Sequence, residues 1–135
     1  MPSSSLLLPD LGDLTPESPV VIGQAYGCAP AILLAEMLHQ TSRPLLAITP
    51  TVAEAETLQA QLDFFLGTER TLLFPDPETL AYDVFSPHQD LVSRRLAVLA
   101  CLLEKKSSHL TIVAAPTLFQ RLPPKSYIAA NSLSL

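Results

Sequence analysis

The sequence has no tryptophan, only two cysteines and no apolar run long enough to cross a membrane. Cys28 and Cys101 lie far apart, without the closely spaced pairs that zinc sites or small disulfide scaffolds use. A transmembrane helix needs about 18 or more apolar residues, and the leucine run at residues 6–8 is far shorter. These absences argue against a secreted disulfide module and predict a soluble, cytoplasmic protein with no membrane partner.

Basic residues are scarce in the first two thirds of the chain. Residues 1–90 hold twelve acidic side chains and only Arg43 and Arg70, whereas residues 91–135 hold one acidic and six basic side chains. The acidic part would repel the phosphates of a nucleic acid. The six bases are scattered over helix and loop positions, so they form either a nucleic-acid patch or solvated faces and a protein contact.

Short apolar runs alternate with helical patterns along the chain. Four short runs that are apolar or nearly so predict strands: residues 20–22, 45–48, 71–74 and 110–113. Capping residues, prolines and apolar spacing predict the helices: residues 30–41, 51–67, 86–106 and 117–122. Fully apolar strands separated by helices predict an α/β fold with a doubly wound parallel sheet, covered on both faces.

One segment combines an apolar run, a glycine turn and a helix start, as in a phosphate-binding loop. In that loop, Gly-x-x-x-x-Gly-Lys-Ser/Thr, backbone N–H groups and the lysine hold the phosphates and the hydroxyl holds Mg²⁺. Here Gly23 and Gly27 are one residue too close, and Cys28 and Ala29 stand where the lysine and hydroxyl belong. Pro30 then removes a backbone N–H. The segment is a degenerate nucleotide loop or an ordinary glycine turn, and either way we expect no cofactor.

No group of side chains in the sequence predicts catalysis. The three histidines stand apart from one another and from both cysteines, so no metal-ligand spacing is present. Asp76, Glu78 and Asp83 crowd one loop, but turn formers beside prolines are the simpler interpretation, since no nucleophile accompanies them. The sequence therefore predicts no catalytic residue and no metal site.

Two stretches carry a specific resemblance to a known family. Residues 74–96 read Phe-Pro-Asp-Pro-Glu-Thr-Leu-Ala-Tyr-Asp-Val-Phe-Ser-Pro-His-Gln-Asp-Leu-Val-Ser-Arg-Arg-Leu, and residues 111–124 read Thr-Ile-Val-Ala-Ala-Pro-Thr-Leu-Phe-Gln-Arg-Leu-Pro-Pro. They closely resemble the N-terminal region of the bacterial transcription-repair coupling factor. The similarity extends from about residue 20 to the end, and the run at residues 82–90 is long and specific.

In that family the N-terminal module is itself similar to UvrB, the damage-verifying subunit of excision repair. The resemblance therefore implies a P-loop, helicase-like fold similar to UvrB domain 1a, with a degenerate nucleotide loop. UvrB-type proteins carry a DNA-inserting hairpin before the helix that contains Arg94, but here only residues 88–92 intervene, too few for a hairpin. The implied role is a non-catalytic scaffold that supports UvrA recruitment in transcription-coupled nucleotide excision repair.

The resemblance also implies that a larger parent chain carries the other activities. In the family, a separate C-terminal motor uses ATP and Mg²⁺ to translocate on DNA and displace stalled RNA polymerase. A middle domain binds the polymerase, and the subdomain after this region binds UvrA. We therefore expect an irregular leader at residues 1–19, the α/β subdomain at residues 20–125 and a truncated following segment at residues 126–135, whose apolar alternation resembles a strand.

Arg94 and Arg95, predicted on the exposed side of the long helix, are the interaction candidates. Two alternatives to the scaffold stay open. One is a divergent nucleotide hydrolase that uses another lysine, such as Lys105 or Lys106. The other is a nucleic-acid-binding module in the basic half. Phosphate release from Mg-ATP would indicate the first, and binding that falls steeply with salt would indicate the second.

Overall fold

A computed structural model describes residues 19–77, 89–104 and 108–131. Within these ranges the chain alternates helices and strands. In chain order the elements are α1 Ala29–Gln40, β1 Leu45–Thr49, α2 Val52–Leu66, β2 Thr71–Phe74, α3 Gln89–Leu103, β3 Leu110–Ala114, α4 Ala115–Leu118 and α5 Lys125–Asn131. The predicted strands at residues 45–48, 71–74 and 110–113 and the first two predicted helices are confirmed.

The three strands form one parallel sheet in the order β1-β3-β2. Leu45 at the start of β1 and Thr71 at the start of β2 both lie opposite Leu110 of β3. The chain leaves β1 through α2 to reach β2, and then returns through α3 to β3 between them. Because α2 and α3 pack on opposite faces, the predicted α/β fold with a parallel sheet is confirmed.

Local chemistry fixes the ends of α2. The Thr51 side chain accepts a hydrogen bond from the backbone N–H of Glu54 at 3.2 Å, which satisfies one of the donors left free at a helix start. The helix ends before Gly67, whose φ of 81° lies in the left-handed region that glycine adopts without strain. Both features match the prediction for residues 51–67.

The sheet face covered by α1 and α2, called the α1/α2 face, holds the larger core. Leu38 of α1 and Leu62 of α2 are fully buried against Leu110 and Ile112 of β3. At the end of α2, the Thr71 hydroxyl donates a hydrogen bond to the Asp63 carboxylate, which joins this helix to the start of β2. Small residues complete the cluster, which allows close helix-sheet packing: Ala31, Ala35, Ala47, Ala55 and Ala114.

The opposite face, called the α3 face, is only partly covered. Val98 of α3 packs on Phe74 and Val113, and these three are the buried members of this cluster. On β1, Leu46 and Ile48 point to the same face but stay 59% and 56% exposed. A helix is about 10 Å wide and strands lie about 4.8 Å apart, so α3 covers two strands and not three. The prediction of two covered faces is wrong for β1.

Two sequence predictions fail in the described residues. Residues 20–22 form no strand. Residues 125–131 form helix α5, which lies against α3 and buries Ile128, whereas the end of the predicted apolar alternation, at residues 132–135, lies outside the described residues. The short helix predicted at residues 117–122 begins earlier, as α4. The predicted ends of the long helix, at residues 86–87 and 105–106, lie outside the described residues.

Candidate functional site

The predicted apolar strand before the glycine turn is exposed backbone without strand pairing. Val20, Val21 and Ile22 are 53%, 93% and 47% exposed, and residues 19–26 adopt no regular structure. A run of three residues cannot form a strand alone, since strand hydrogen bonds need a neighbour. In the described part of the chain, β1 pairs only with β3, so its other edge has no strand partner.

The turn itself is tight and leads directly into helix α1. Gln24 and Gly27 both have left-handed φ values, 61° and 62°. The N–H of Ala29 donates to the carbonyl of Tyr26 at 3.1 Å, which closes the turn. Helix α1 follows, with Cys28 as its N-cap residue but without a hydrogen bond from the Cys28 side chain.

This helix start has lost donors that a phosphate would need. A phosphate-binding loop offers free backbone N–H groups at the first turn of its helix. Here the Ala29 N–H is already used by the Tyr26 carbonyl, and Pro30 has no N–H. Cys28 and Ala29 supply neither a positive charge nor a hydroxyl. The geometry of the turn is therefore that of a connection between elements.

A shallow cleft of about 350 Å³ lies beside the turn, between Gly27 and Pro30 on one side and α2 on the other. Its floor includes Thr49, at the carboxyl end of β1, which is where ligands bind in open parallel sheets. Among the residues that the structure describes, Glu54 is the one charged residue of the lining, and none of the described bases contributes to it. A polyphosphate in this cleft would face a carboxylate with no cation to neutralise it.

The hydroxyl groups of the cleft are already used by the backbone. The Thr49 hydroxyl donates to the Thr51 carbonyl at 3.0 Å, and the Thr57 hydroxyl donates to the Ala53 carbonyl at 2.8 Å. In a working site a hydroxyl at the helix start coordinates Mg²⁺. These two hydroxyls bond to the backbone of the loop before α2 and of its first turn, and neither stands at the start of α1, where a phosphate-binding loop carries its hydroxyl.

The structure separates the two predicted interaction candidates. Arg94 is exposed and lines a cavity of about 150 Å³ at the carboxyl ends of β2 and β3, where Glu56 and Asp76 also contribute. Arg95 is half-buried: its Nη1 donates to the Pro75 carbonyl at 2.6 Å. The prediction that both arginines lie on the exposed side of the helix is therefore wrong for Arg95.

Arg95 is held by the loop that follows β2. Its guanidinium carbon lies 4.3 Å from the centroid of the Phe74 ring, a cation–π geometry. Burial lowers the pKa of Arg95 from its ordinary value, and the nearby Asp76 carboxylate opposes that shift. Asp76 in turn accepts a hydrogen bond from the Thr117 hydroxyl at 2.7 Å. These contacts join β2, α3 and α4 at the carboxyl edge of the sheet.

Sequence reasoning missed this network. Asp76 and Thr117 are 41 residues apart, and each residue type has a simpler local explanation as a turn or helix-start residue.

Cys28 and Cys101 are both exposed and free. In the described ranges, no three His, Cys, Asp or Glu side chains could jointly hold a metal ion, and no helix has the length and apolar character to span a membrane.

Comparison with known proteins decides the family. No family model matches the chain. A transcription-repair-coupling factor of Haemophilus influenzae is 35% identical over 118 residues, which is 87% of this chain and 10% of that protein. The protein of the same name from Escherichia coli is 35% identical over 113 residues, covering 84% and 10%, and that from Rickettsia bellii is 33% identical over 98 residues, covering 73% and 9%.

The chain belongs to the transcription-repair-coupling factor family. This confirms the resemblance carried by residues 74–96 and 111–124. The chain spans about a tenth of the length of the curated relatives it matches. It is therefore similar to one segment of these coupling factors, and the activities of a complete coupling factor do not follow from the match alone.

Proposed function

We propose that this chain is a non-catalytic scaffold subdomain of a transcription-repair coupling factor, with a P-loop, helicase-like fold similar to UvrB domain 1a. The observation that carries the proposal is the cleft at the glycine turn. Its turn geometry and place at the carboxyl edge suit a nucleotide site, but the Ala29 N–H is engaged and Pro30 has none, the described part of the lining has no base, and Glu54 lines it. The turn keeps the connection between elements without the contacts that ATP and Mg²⁺ need.

The incomplete sheet supports a place inside a larger parent. Since α1 and α2 lie on one face, and crossovers between parallel strands are right-handed, the strand preceding α1 belongs beyond the open edge of β1. Residues 20–22 precede α1 in the chain, where that strand is expected, but they pair with no strand. The open edge carries no charge or proline to protect it. We infer that the rest of the parent packs here and completes the sheet.

In this proposal, repair activity arises from the whole parent. The following subdomain recruits UvrA, and this module supports it mechanically. A separate motor uses ATP and Mg²⁺ to translocate on DNA and displace stalled RNA polymerase, in the cytoplasm, during transcription-coupled nucleotide excision repair. The proposed domain limits are residues 20–125 for the module, with residues 1–19 and 126–135 as flanking segments, although helix α5 crosses the second boundary.

A thermal melt with Mg-ATP tests the scaffold assignment. A ligand at about 100 times its Kd stabilises a fold by about 2.7 kcal/mol, which shifts the melting temperature of a domain of this size on the order of 10 °C. We expect no shift for the natural chain. The matched control is Glu54→Gln, which removes the one charge that the described residues contribute to the cleft lining.

Mg-ATP should not raise the melting temperature of either protein if the missing backbone donors at the turn prevent nucleotide binding. A shift in the natural chain that disappears on Gly27→Val, at a residue with φ of 62°, would contradict the proposal. Release of phosphate from Mg-ATP by the purified chain would favour the divergent hydrolase instead. Binding to duplex DNA that falls with salt and is lost on Arg94→Glu would favour the nucleic-acid-binding module.

A further inference from the structure

The α3 face contains a small apolar pocket. It has a volume of about 160 Å³, and its walls come from all three strands, from α3, and from α4 and the chain that follows it. The apolar part of the lining includes Leu46, Phe74, Leu99, Leu102 and Leu122. An apolar cavity of about 150 Å³ is large enough to hold one benzene ring. The volume of the pocket therefore suits a ligand with a single six-membered ring.

One hydroxyl group in this lining is buried without a hydrogen bond. Thr111 lies in the central strand β3, opposite Leu46 of β1 and Leu72 of β2. It lines the pocket and is 4% exposed, and no described residue forms a hydrogen bond with its Oγ1. Buried hydroxyl groups nearly always have a partner, because an unpaired one has lost its hydrogen bonds to water. A ligand with one hydrogen-bonding atom would supply the partner that Thr111 lacks.

The other polar side chains of the pocket do not fill this role. The Thr117 hydroxyl donates to the Asp76 carboxylate at 2.7 Å, and Gln120 forms no hydrogen bond with Thr111. Water is a poor substitute, because a buried water needs about two to four polar partners and most of the described wall is apolar. None of the described lining residues is charged, so the pocket suits a neutral molecule.

We propose that this pocket binds a small neutral phenol, that is, one aromatic ring with one hydroxyl group. The ring fills the apolar volume, and Phe74 in the wall offers it an aromatic contact. The phenol hydroxyl forms a hydrogen bond with Thr111 Oγ1, since both groups can donate and accept. With a pKa of about 10, a phenol stays neutral at pH 7.

The site needs no rearrangement of the sheet. A threonine hydroxyl moves between staggered positions by rotation about the Cα–Cβ bond, so the Thr111 hydroxyl can turn toward a ligand while the β3 backbone stays in place. The pocket also lies apart from the cleft at the glycine turn, and the two share no lining residue among those described. Phenol binding is therefore independent of the proposed scaffold function.

Amide-resolved NMR titration tests the proposal with phenol and benzene as probes. Both should bind the natural chain in the millimolar range, since a single ring makes few contacts, and should shift the amides of Thr111 and Leu118 in the pocket wall. Thr111→Val removes the hydroxyl and keeps the shape of the side chain. It should weaken phenol binding at least about fivefold, the effect of one hydrogen bond, and leave benzene binding unchanged.

A thermal melt of the same variant gives a second readout without ligand. Thr111→Val removes a buried hydroxyl that has no partner among the described residues, so the melting temperature should rise by about 3 °C. An unchanged or lower melting temperature would contradict the unpaired state of this hydroxyl, on which the proposal depends.

Two further variants serve as controls for the binding experiment. Leu46→Trp enlarges a side chain of the pocket wall at a residue that is 59% exposed, so the fold should tolerate it, and it should weaken both probes. Phe64→Ala, at a residue that is 84% exposed on α2, on the other side of the sheet, should change neither. A natural chain that binds neither probe, or whose amide shifts lie away from the pocket, would overturn the proposal. Thr111→Val affinities that change equally for phenol and benzene, or for neither, would overturn it as well.

Discussion

The two faces of the sheet differ in how completely this chain can bury them. On the α1/α2 face, two helices and small alanine side chains give a continuous core in which Leu62 and Ile112 have no exposed surface. On the α3 face, one helix buries only Phe74, Val98 and Val113. The chain thus covers one face of the three strands with its own helices and leaves part of the other face exposed. Because one helix covers only part of the α3 face, an open pocket remains on a parallel sheet, which is normally buried on both faces.

A matched pair of leucine substitutions should show the largest difference in stability between the two faces. Leu62→Ala, at a fully buried site on α2, should lower the free energy of unfolding by about 3–5 kcal/mol because it leaves a cavity that cannot collapse. Leu99→Ala, at a half-buried site on α3, should lower it by about 1–2 kcal/mol. Urea denaturation followed by circular dichroism measures both. Equal losses would mean that the two faces are packed equally well.

The network at the carboxyl edge should contribute less than the main core. Arg95→Gln removes the cation–π contact with Phe74 and the charged donor to the Pro75 carbonyl, and should cost about 1–2 kcal/mol. Arg94→Gln, at the exposed neighbour, should change stability by less than about 0.5 kcal/mol. The same denaturation experiment compares them. An Arg94→Gln loss as large as that of Arg95→Gln would contradict the separation of the two arginines.

The smallest effect is expected on the uncovered part of the α3 face. Ile48→Thr keeps a β-branched residue in β1 at a position that is 56% exposed, so stability should change by less than about 0.5 kcal/mol. Ile112→Thr, the same exchange on the buried face of the neighbouring strand, should cost several times more because it buries a hydroxyl. A large loss for Ile48→Thr would show that this face is covered in solution.

Much of the fold could be predicted because its signals are local. The strands at residues 45–49, 71–74 and 110–114 follow from short apolar runs, and the ends of α2 follow from the Thr51 cap and from Gly67. The turn at Gly27 follows in the same way, and so does the start of α1, which Pro30 predicts to within one residue. In each case a few neighbouring residues determine the geometry.

The incorrect predictions concern features that depend on residues far apart in the sequence. A strand at residues 20–22 needs a pairing partner, and its own apolar side chains cannot supply one. The role of Arg95 depends on the backbone of a loop 20 residues away, so its charge alone suggested an exposed contact. Of the candidate site, the glycine turn was predictable from its motif. The acidic lining at Glu54 depends on how α2 sits beside that turn, which spacing along the chain does not reveal.

Native-state hydrogen exchange tests the difference between the two faces most directly. The backbone amide of Leu62 in α2 should exchange only by global unfolding, with the free energy obtained from denaturation. The amide of Val98 in α3 should exchange through a partial opening that leaves the α1/α2 face intact, at a free energy at least about 1 kcal/mol lower. Equal exchange free energies for Leu62 and Val98 would contradict the account, because the two faces would then form one cooperative unit.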